Sequence, residues 1–196
     1  VNVQDDLNAP FETLLRRLRI GKVKKYIPEG IRLLDLGCGF NGKFLKTIRG
    51  HIKFGVGIDK KVRCHSFENI HFISSSFDHL EQIEHSDFDC VTLLAVIEHL
   101  DDSETLLLHL SSLLKPGGLI IITTPTPSAR PVLEFLSFKL RVISREEIRD
   151  HKRYFSKKSL ISLLEKCGFE VIIYRYFQLG FNSLCIGKYR GSYKGI

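Results

Sequence analysis

Two aspartates flank a cluster of glycines near the start of the chain. Asp35 lies in Leu33-Leu34-Asp35-Leu36-Gly37-Cys38-Gly39-Phe40-Asn41-Gly42, and Asp59 ends the following apolar run as Gly57-Ile58-Asp59. Glycines at this spacing allow a tight turn whose backbone presses against a ligand, and a carboxylate placed like Asp59 can accept both hydroxyls of a ribose. NAD and S-adenosylmethionine both fit that outline. Asp35 separates them: a carboxylate just before the turn repels a pyrophosphate but attracts an ammonium and a sulfonium. The plainer alternative is a structural glycine turn with two solvated aspartates.

These residues need a scaffold, and the pattern along the chain describes one. Residues 31–36 read as a buried strand, 41–49 as a helix and 53–58 as a strand, followed by a short helix after Asp59 and a strand near 70–74. The alternation resumes with a strand at 88–94, a helix at 102–114, the turn Lys115-Pro116-Gly117-Gly118 and a strand at 119–124. Such alternation implies a parallel sheet covered on both faces. A helix at 156–167 then precedes two strands, Phe169–Phe177 and Ser183–Tyr189, whose short join favours an antiparallel hairpin. Ahead of all this, residues 10–27 form an amphipathic helix with Phe11, Leu14, Leu15, Leu18 and Val23 on its apolar face and Arg and Lys elsewhere. Ligands in such sheets bind outside the carboxyl ends of the strands, where Gly37–Gly42, Asp59, Ser75–Asp78 and Leu94–Glu98 converge.

Length and composition set the outer limits. The 196 residues, 43% of them hydrophobic, make about one domain, so residues 1–196 read as a single unit with an N-terminal basic helix at 1–28. Apolar runs are far shorter than the roughly 20 residues that cross a bilayer, and no signal-peptide pattern is visible, so a cytoplasmic protein is expected. The five cysteines are scattered without a Cys-x-x-Cys pair and read mostly as small buried apolar residues, with no metal site expected. A net charge of +7 favours anionic partners.

The chain resembles the class I S-adenosylmethionine-dependent methyltransferases, in particular the small-molecule group that includes the ubiquinone-biosynthesis type. Leu34-Asp35-Leu36-Gly37-Cys38-Gly39, Gly57-Ile58-Asp59, Phe88-Asp89-Cys90-Val91 leading to Ile97-Glu98-His99-Leu100, and Leu114-Lys115-Pro116-Gly117-Gly118 carry the resemblance, which covers about residues 31–190. It implies an α/β fold: a Rossmann-like doubly wound sheet of about seven strands with the last antiparallel. It assigns Asp35, Gly37 and Gly39, with Cys38 between them, to the methionine end of S-adenosylmethionine, and Asp59 to the ribose. Leu94 joins this set at the end of its strand. Where family members carry an Asp that meets the adenine amino group, this chain has Ser74-Ser75-Ser76-Phe77-Asp78. Ser76 takes that place, with Phe77 against the adenine and Asp78 as the alternative.

Transfer of an already activated methyl group needs an aligned acceptor and a group to take its proton. Glu98-His99 is one location for such a base, His99 being read equally as a turn-stabilising residue. The other is residues 125–155, an insert expected to cover the substrate, with His151 and Tyr154 as its polar candidates. A structural reading of that end is as simple, with Ser156 capping the next helix, His151 on backbone and Tyr154 packed. Val132, Leu133, Phe135, Leu136, Phe138 and Leu140 make the insert apolar enough to line a pocket or touch a partner, and its later part is basic. A lipid-linked substrate or peripheral membrane contact is one reading of that composition; packing on the sheet with a solvated basic face is the other.

Three functions follow. The first is methyl transfer to a small-molecule, glycan or lipid-linked acceptor, with oxygen as the acceptor atom and S-adenosylhomocysteine as product. The second is an RNA methyltransferase, favoured by the charge. Against it, enzymes that methylate exocyclic base amines resemble one another in a Pro-Pro-aromatic motif where this chain has Leu93-Leu94-Ala95-Val96-Ile97-Glu98. The third is a binding module that keeps the cofactor fold without catalysis.

Overall fold

The computed structural model describes residues 3–77, 80, 83, 87–131 and 152–191, with side chains from residue 13 onward. Eight strands form one sheet: β1 (Arg32–Leu36), β2 (Phe54–Asp59), β3 (His65–Phe67), β4 (Ile70–Ser74), β5 (Phe88–Leu94), β6 (Leu114–Pro125), β7 (Phe169–Phe177) and β8 (Asn182–Tyr189). Their order is β3-β4-β2-β1-β5-β6-β8-β7. β4, β2, β1, β5 and β6 run parallel, while β8 is antiparallel to β6 and β7 to β8. The order reverses at β1, which makes its carboxyl end the crevice where ligands of such sheets bind.

The central strands are apolar because both their faces are covered. One face carries α1 (Val3–Lys24) and α2 (Lys43–Ile48), with Ile20, Val23, Phe44, Leu45 and Leu33 in a common cluster. The other carries α3 (Ser103–Leu113) and α4 (Lys157–Lys166), which pack Leu107, Leu110, Leu160 and Leu164 against Leu34, Leu36 and Val91. Both of these helices start on a side-chain cap: Asp102 accepts from Thr105 N at 3.0 Å, and Ser156 accepts from Ser159 N at 3.1 Å.

Three expectations change. No helix follows Asp59; the chain instead turns and pairs β3 antiparallel with β4, which brings the strand count to eight. Lys115–Gly118 is not a separate turn but a bulge inside β6, where Phe88↔Leu114 is followed at once by Cys90↔Leu119. On α1, among the residues whose side chains are described, Ile20 and Val23 are buried, continued by Ile27, while Leu14 and Leu18 stand 51% and 50% exposed; the side chain of Phe11 lies outside the described residues. Ile20, Val23 and Ile27 follow the i, i+3, i+7 spacing of one helix face, and Leu14 and Leu18 lie well around the cylinder from it. Residues 132–151, including the apolar run Val132–Leu140 and His151, lie outside the described residues, as does Asp78.

Candidate functional site

The turn after β1 is held open by three backbone features. Gly37, Gly39 and Gly42 have φ of 74°, 71° and 55°, a region that side chains penalise. The amides of Gly37 and Cys38 both donate to the carbonyl of Ile58, at 2.8 and 3.2 Å, which ties the turn to the end of β2. Gly37 also has no room for a side chain, because a Cβ there would fall 2.3 Å from Val96 Cγ2. Val96 reaches that position because Ala95, just past β5, adopts φ 61° and turns the chain across the mouth of β1. The Ala95 amide donates to Thr123 O at 2.8 Å, which fixes the left-handed residue in place.

Asp59 closes the same ring. Its Oδ2 accepts from the Gly39 amide at 2.9 Å and its Oδ1 from the Lys61 amide at 2.8 Å. A carboxylate has about four lone-pair sites, so two remain for a pair of hydroxyls while the backbone fixes its orientation. Asp35 is in the opposite situation: it is 2% exposed and receives one hydrogen bond, from Thr92 Oγ1 at 2.6 Å. Burial pushes its carboxyl up to about 7, the Thr92 hydroxyl works against this, and the charge of Asp59 adds to it. No cation stands among these causes, so a positively charged ligand beside Asp35 would favour its ionised form, whereas a pyrophosphate would oppose it. Burial pushes the Cys38 thiol up as well, with Asp35 and Asp59 acting in the same direction, so Cys38 is a neutral wall of the turn. The glycine cradle, the oriented Asp59 and the buried Asp35 fit S-adenosylmethionine better than a pyrophosphate cofactor.

The remaining expected contacts are more dispersed. Leu94 is half-buried at the end of β5 and packs on the α1 side of the core. Ser76 and Phe77 follow β4; the Ser76 carbonyl accepts from Ser75 Oγ at 3.1 Å, and Phe77 packs partly against the α3 side. His99 lies on a single 3-10 turn, Ile97–His99, with its amide on Val96 O at 3.0 Å. Tyr154 is half-buried, with the Arg130 guanidinium 6.0 Å from its ring centre.

Glu98, the neighbour of His99, is the more buried of the two at 1% exposure. Burial raises its carboxyl, opposed by hydrogen bonding, by the charges of His99 and Arg19 and by the Thr124 hydroxyl, whose Oγ1 donates to Oε2 at 3.1 Å. Its carbonyl accepts from the amides of Lys152 and Arg153 at 2.9 and 3.2 Å. Glu98 therefore joins β6 to the segment before α4, within the electrostatic reach of Arg19 on α1.

A cavity of about 470 Å³ opens at this same end of the sheet, lined by Thr126, Ser128, Phe155, Lys157, Tyr174 and Tyr176 among others. Thr126 is fixed by its amide on Phe181 O at 3.0 Å and its hydroxyl on Gly180 O at 2.8 Å. Tyr174 and Tyr176 share one face of β7 with ring centres 5.4 Å apart, and burial pushes the Tyr174 hydroxyl up to about 12, so it stays a neutral donor. Most of these residues were invisible as a set in the sequence. Only the i, i+2 spacing of the two tyrosines hinted that they share a face.

The Methyltransferase domain family matches residues 7–173. Among curated relatives, the mitochondrial ubiquinone biosynthesis O-methyltransferase of Homo sapiens is 30% identical over 85% of this chain and 49% of its own length. The ubiquinone biosynthesis O-methyltransferase of Vibrio atlanticus is 28% identical over 82% of this chain and 73% of its own. The chain thus spans about half the length of the human relative. Among solved structures, a methyltransferase in complex with the Haloferax volcanii Trm112 methyltransferase activator superposes with a TM-score of 0.71 at 16% identity, covering 97% of this chain and 99% of that one. An S-adenosylmethionine-dependent methyltransferase from Mesorhizobium loti gives 0.66 at 16% identity, covering 86% and 96%. These structural likenesses show the fold. With the family match and the relatives in agreement, the chain belongs to the methyltransferase-domain family.

Proposed function

We propose that this methyltransferase acts on an oxygen of a small-molecule acceptor, glycan- and lipid-linked molecules included, that enters the cavity beside β6 and β7. The observation that carries the proposal is the cavity itself, which falls in the usual size range of small-ligand sites and is walled by Phe155 and two tyrosines. Hydroxyls from Thr126, Ser128, Tyr174 and Tyr176 offer an acceptor both donors and hydrogen-bond acceptors, and Lys157 is the lining cation among the described residues. The oxygen-methylating names of the relatives support the choice of acceptor atom.

In this reading Asp35, Gly37, Cys38 and Gly39 hold the methionine end of S-adenosylmethionine, Asp59 the ribose, Ser76 and Phe77 the adenine, and Leu94 the wall between cofactor and acceptor. When bound, the cofactor supplies a methyl group on a good leaving group, so the protein's work is alignment and proton removal. His99, Tyr154 and His151 are the candidates for handling that proton.

The test begins with calorimetric titration of S-adenosylmethionine, S-adenosylhomocysteine and NAD. Micromolar binding of the adenosyl pair, with none of NAD, is expected. Once an acceptor is found by screening, Thr126→Val and Tyr176→Ala should raise its KM at least several-fold and leave the cofactor affinity unchanged. Unaltered acceptor KM in both variants would move the acceptor out of this cavity.

A further inference from the structure

We propose that the outward face of α1 and the β7–β8 turn together dock the protein on an anionic lipid bilayer. The turn supplies the first observation. Leu179 is 94% exposed, and both Gln178 and Leu179 adopt left-handed φ, 50° and 58°. Consecutive left-handed positions in a hairpin turn favour Asn and Gly, and nothing in the fold calls for a leucine there. An apolar side chain is held out into solvent by a backbone that penalises it.

The second observation is the helix beside it. Gln178 Nε2 donates to Leu15 O at 3.2 Å, which ties the turn to the segment that carries the exposed Leu14 and Leu18. Gly21, one helical turn further along, has open space where a side chain would be. Arg16, Arg17, Lys24 and Lys25 are exposed, and no acidic residue occurs from Thr13 to Pro28. Leucines that enter the acyl boundary, surrounded by cations that meet phosphates, are the composition of a helix lying in a membrane interface.

The same features disfavour other occupants. Among the described residues, the exposed large apolar groups on α1 and at the turn tip are Leu14, Leu18 and Leu179, which offer no ring on which a nucleic-acid base can stack. A second copy would bring cations against cations. The turn also contributes Gly180 to the cavity lining, so a bilayer docked on Leu179 would lie next to the cavity mouth. The docking surface stands on its own residues and not on the acceptor reading.

Co-sedimentation of the full chain with phosphatidylcholine vesicles, with and without phosphatidylglycerol, tests the proposal. Binding only to the anionic vesicles is expected. Leu179→Asp should lower the partition coefficient about tenfold, and Arg17→Glu with Lys25→Glu by roughly fivefold or more per charge. These surface variants should keep the parent's melting temperature and S-adenosylmethionine affinity. Absence of binding to anionic vesicles, or parental binding by both variants, overturns the proposal. So does binding of a single-stranded RNA oligonucleotide that the charge variant weakens and Leu179→Asp does not, without vesicle binding. A dimer in analytical ultracentrifugation that Leu179→Asp dissociates also overturns it, assigning the patch to self-association.

Discussion

Asp35 shares its buried site with one donating hydroxyl, and its carboxyl has risen to about 7 from an ordinary 3.8. Between those two values the folded state binds more protons than the unfolded one, so this residue's contribution to stability falls as pH rises from about 4 to about 7 and stays reduced above that. At about 1.4 kcal/mol per tenfold in proton affinity, the ionised side chain costs the cofactor-free fold a few kcal/mol. Asp35→Asn is therefore expected to raise the melting temperature of the cofactor-free protein at about pH 8 while weakening S-adenosylmethionine at least tenfold. Differential scanning calorimetry and titration on one sample check both parts, and a variant that melts lower and binds as before would refute the assignment. Gly37 makes a second, steric case: Ala there meets Val96 and sits at φ 74°. The left-handed penalty of roughly 1–2 kcal/mol adds to the displacement of Val96, so Gly37→Ala should lower the melting point by several degrees. The cofactor affinity should fall with it, since the turn that presents the Gly39 amide is re-formed. Parental melting and affinity together would show that the turn has slack.

At the scale of elements, what the sequence revealed depended on burial. β1, β2, β5 and the outer half of β6 are covered on both faces and read as continuous apolar runs, so their positions were legible to within a residue or two. β3 was not, because all three of its residues are exposed and three residues carry no period. The bulge in β6 looked like a free turn because Pro116-Gly117-Gly118 is turn chemistry; the pairing with β5 on both sides of it is a tertiary fact. The same division holds in the site. Asp35 and Asp59 were legible because they flank glycines, whereas the role of Glu98 in joining β6 to Lys152 and Arg153 depends on contacts between distant segments. α4 tests the local part of this logic. Ser156 caps it by accepting from Ser159 N, so Ser156→Ala should cost about 1 kcal/mol in chemical denaturation with an unchanged denaturant slope. A null effect would mean that packing of Leu160 and Leu164 fixes the helix start without the cap.

At the scale of the whole molecule, the proposed place of Asp35 beside the cationic end of the cofactor predicts that cofactor binding and folding are linked through its proton. A ligand at a hundred times its dissociation constant stabilises the fold by about 2.7 kcal/mol, and for a chain of this size each kcal/mol moves the melting point by roughly 2–4 °C. A shift of roughly 5–10 °C is therefore expected when S-adenosylmethionine is added at about pH 8 at that ratio. With the carboxyl at about 7, only about a tenth of the molecules have Asp35 ionised at about pH 6, so the apparent affinity for a cationic ligand falls about tenfold. At the same ligand concentration the stabilisation then drops to about 1.4 kcal/mol, and the thermal shift to about half. The comparison is made against the cofactor-free protein at each pH, which removes the separate effect of Asp35 on the empty fold. Asp35→Asn, having no proton to lose, should give a small shift that does not change between the two pH values. A parental shift equally large at both would mean that the ligand's positive charge lies away from Asp35, and the methionine end of the cofactor would have to be placed elsewhere along the glycine turn.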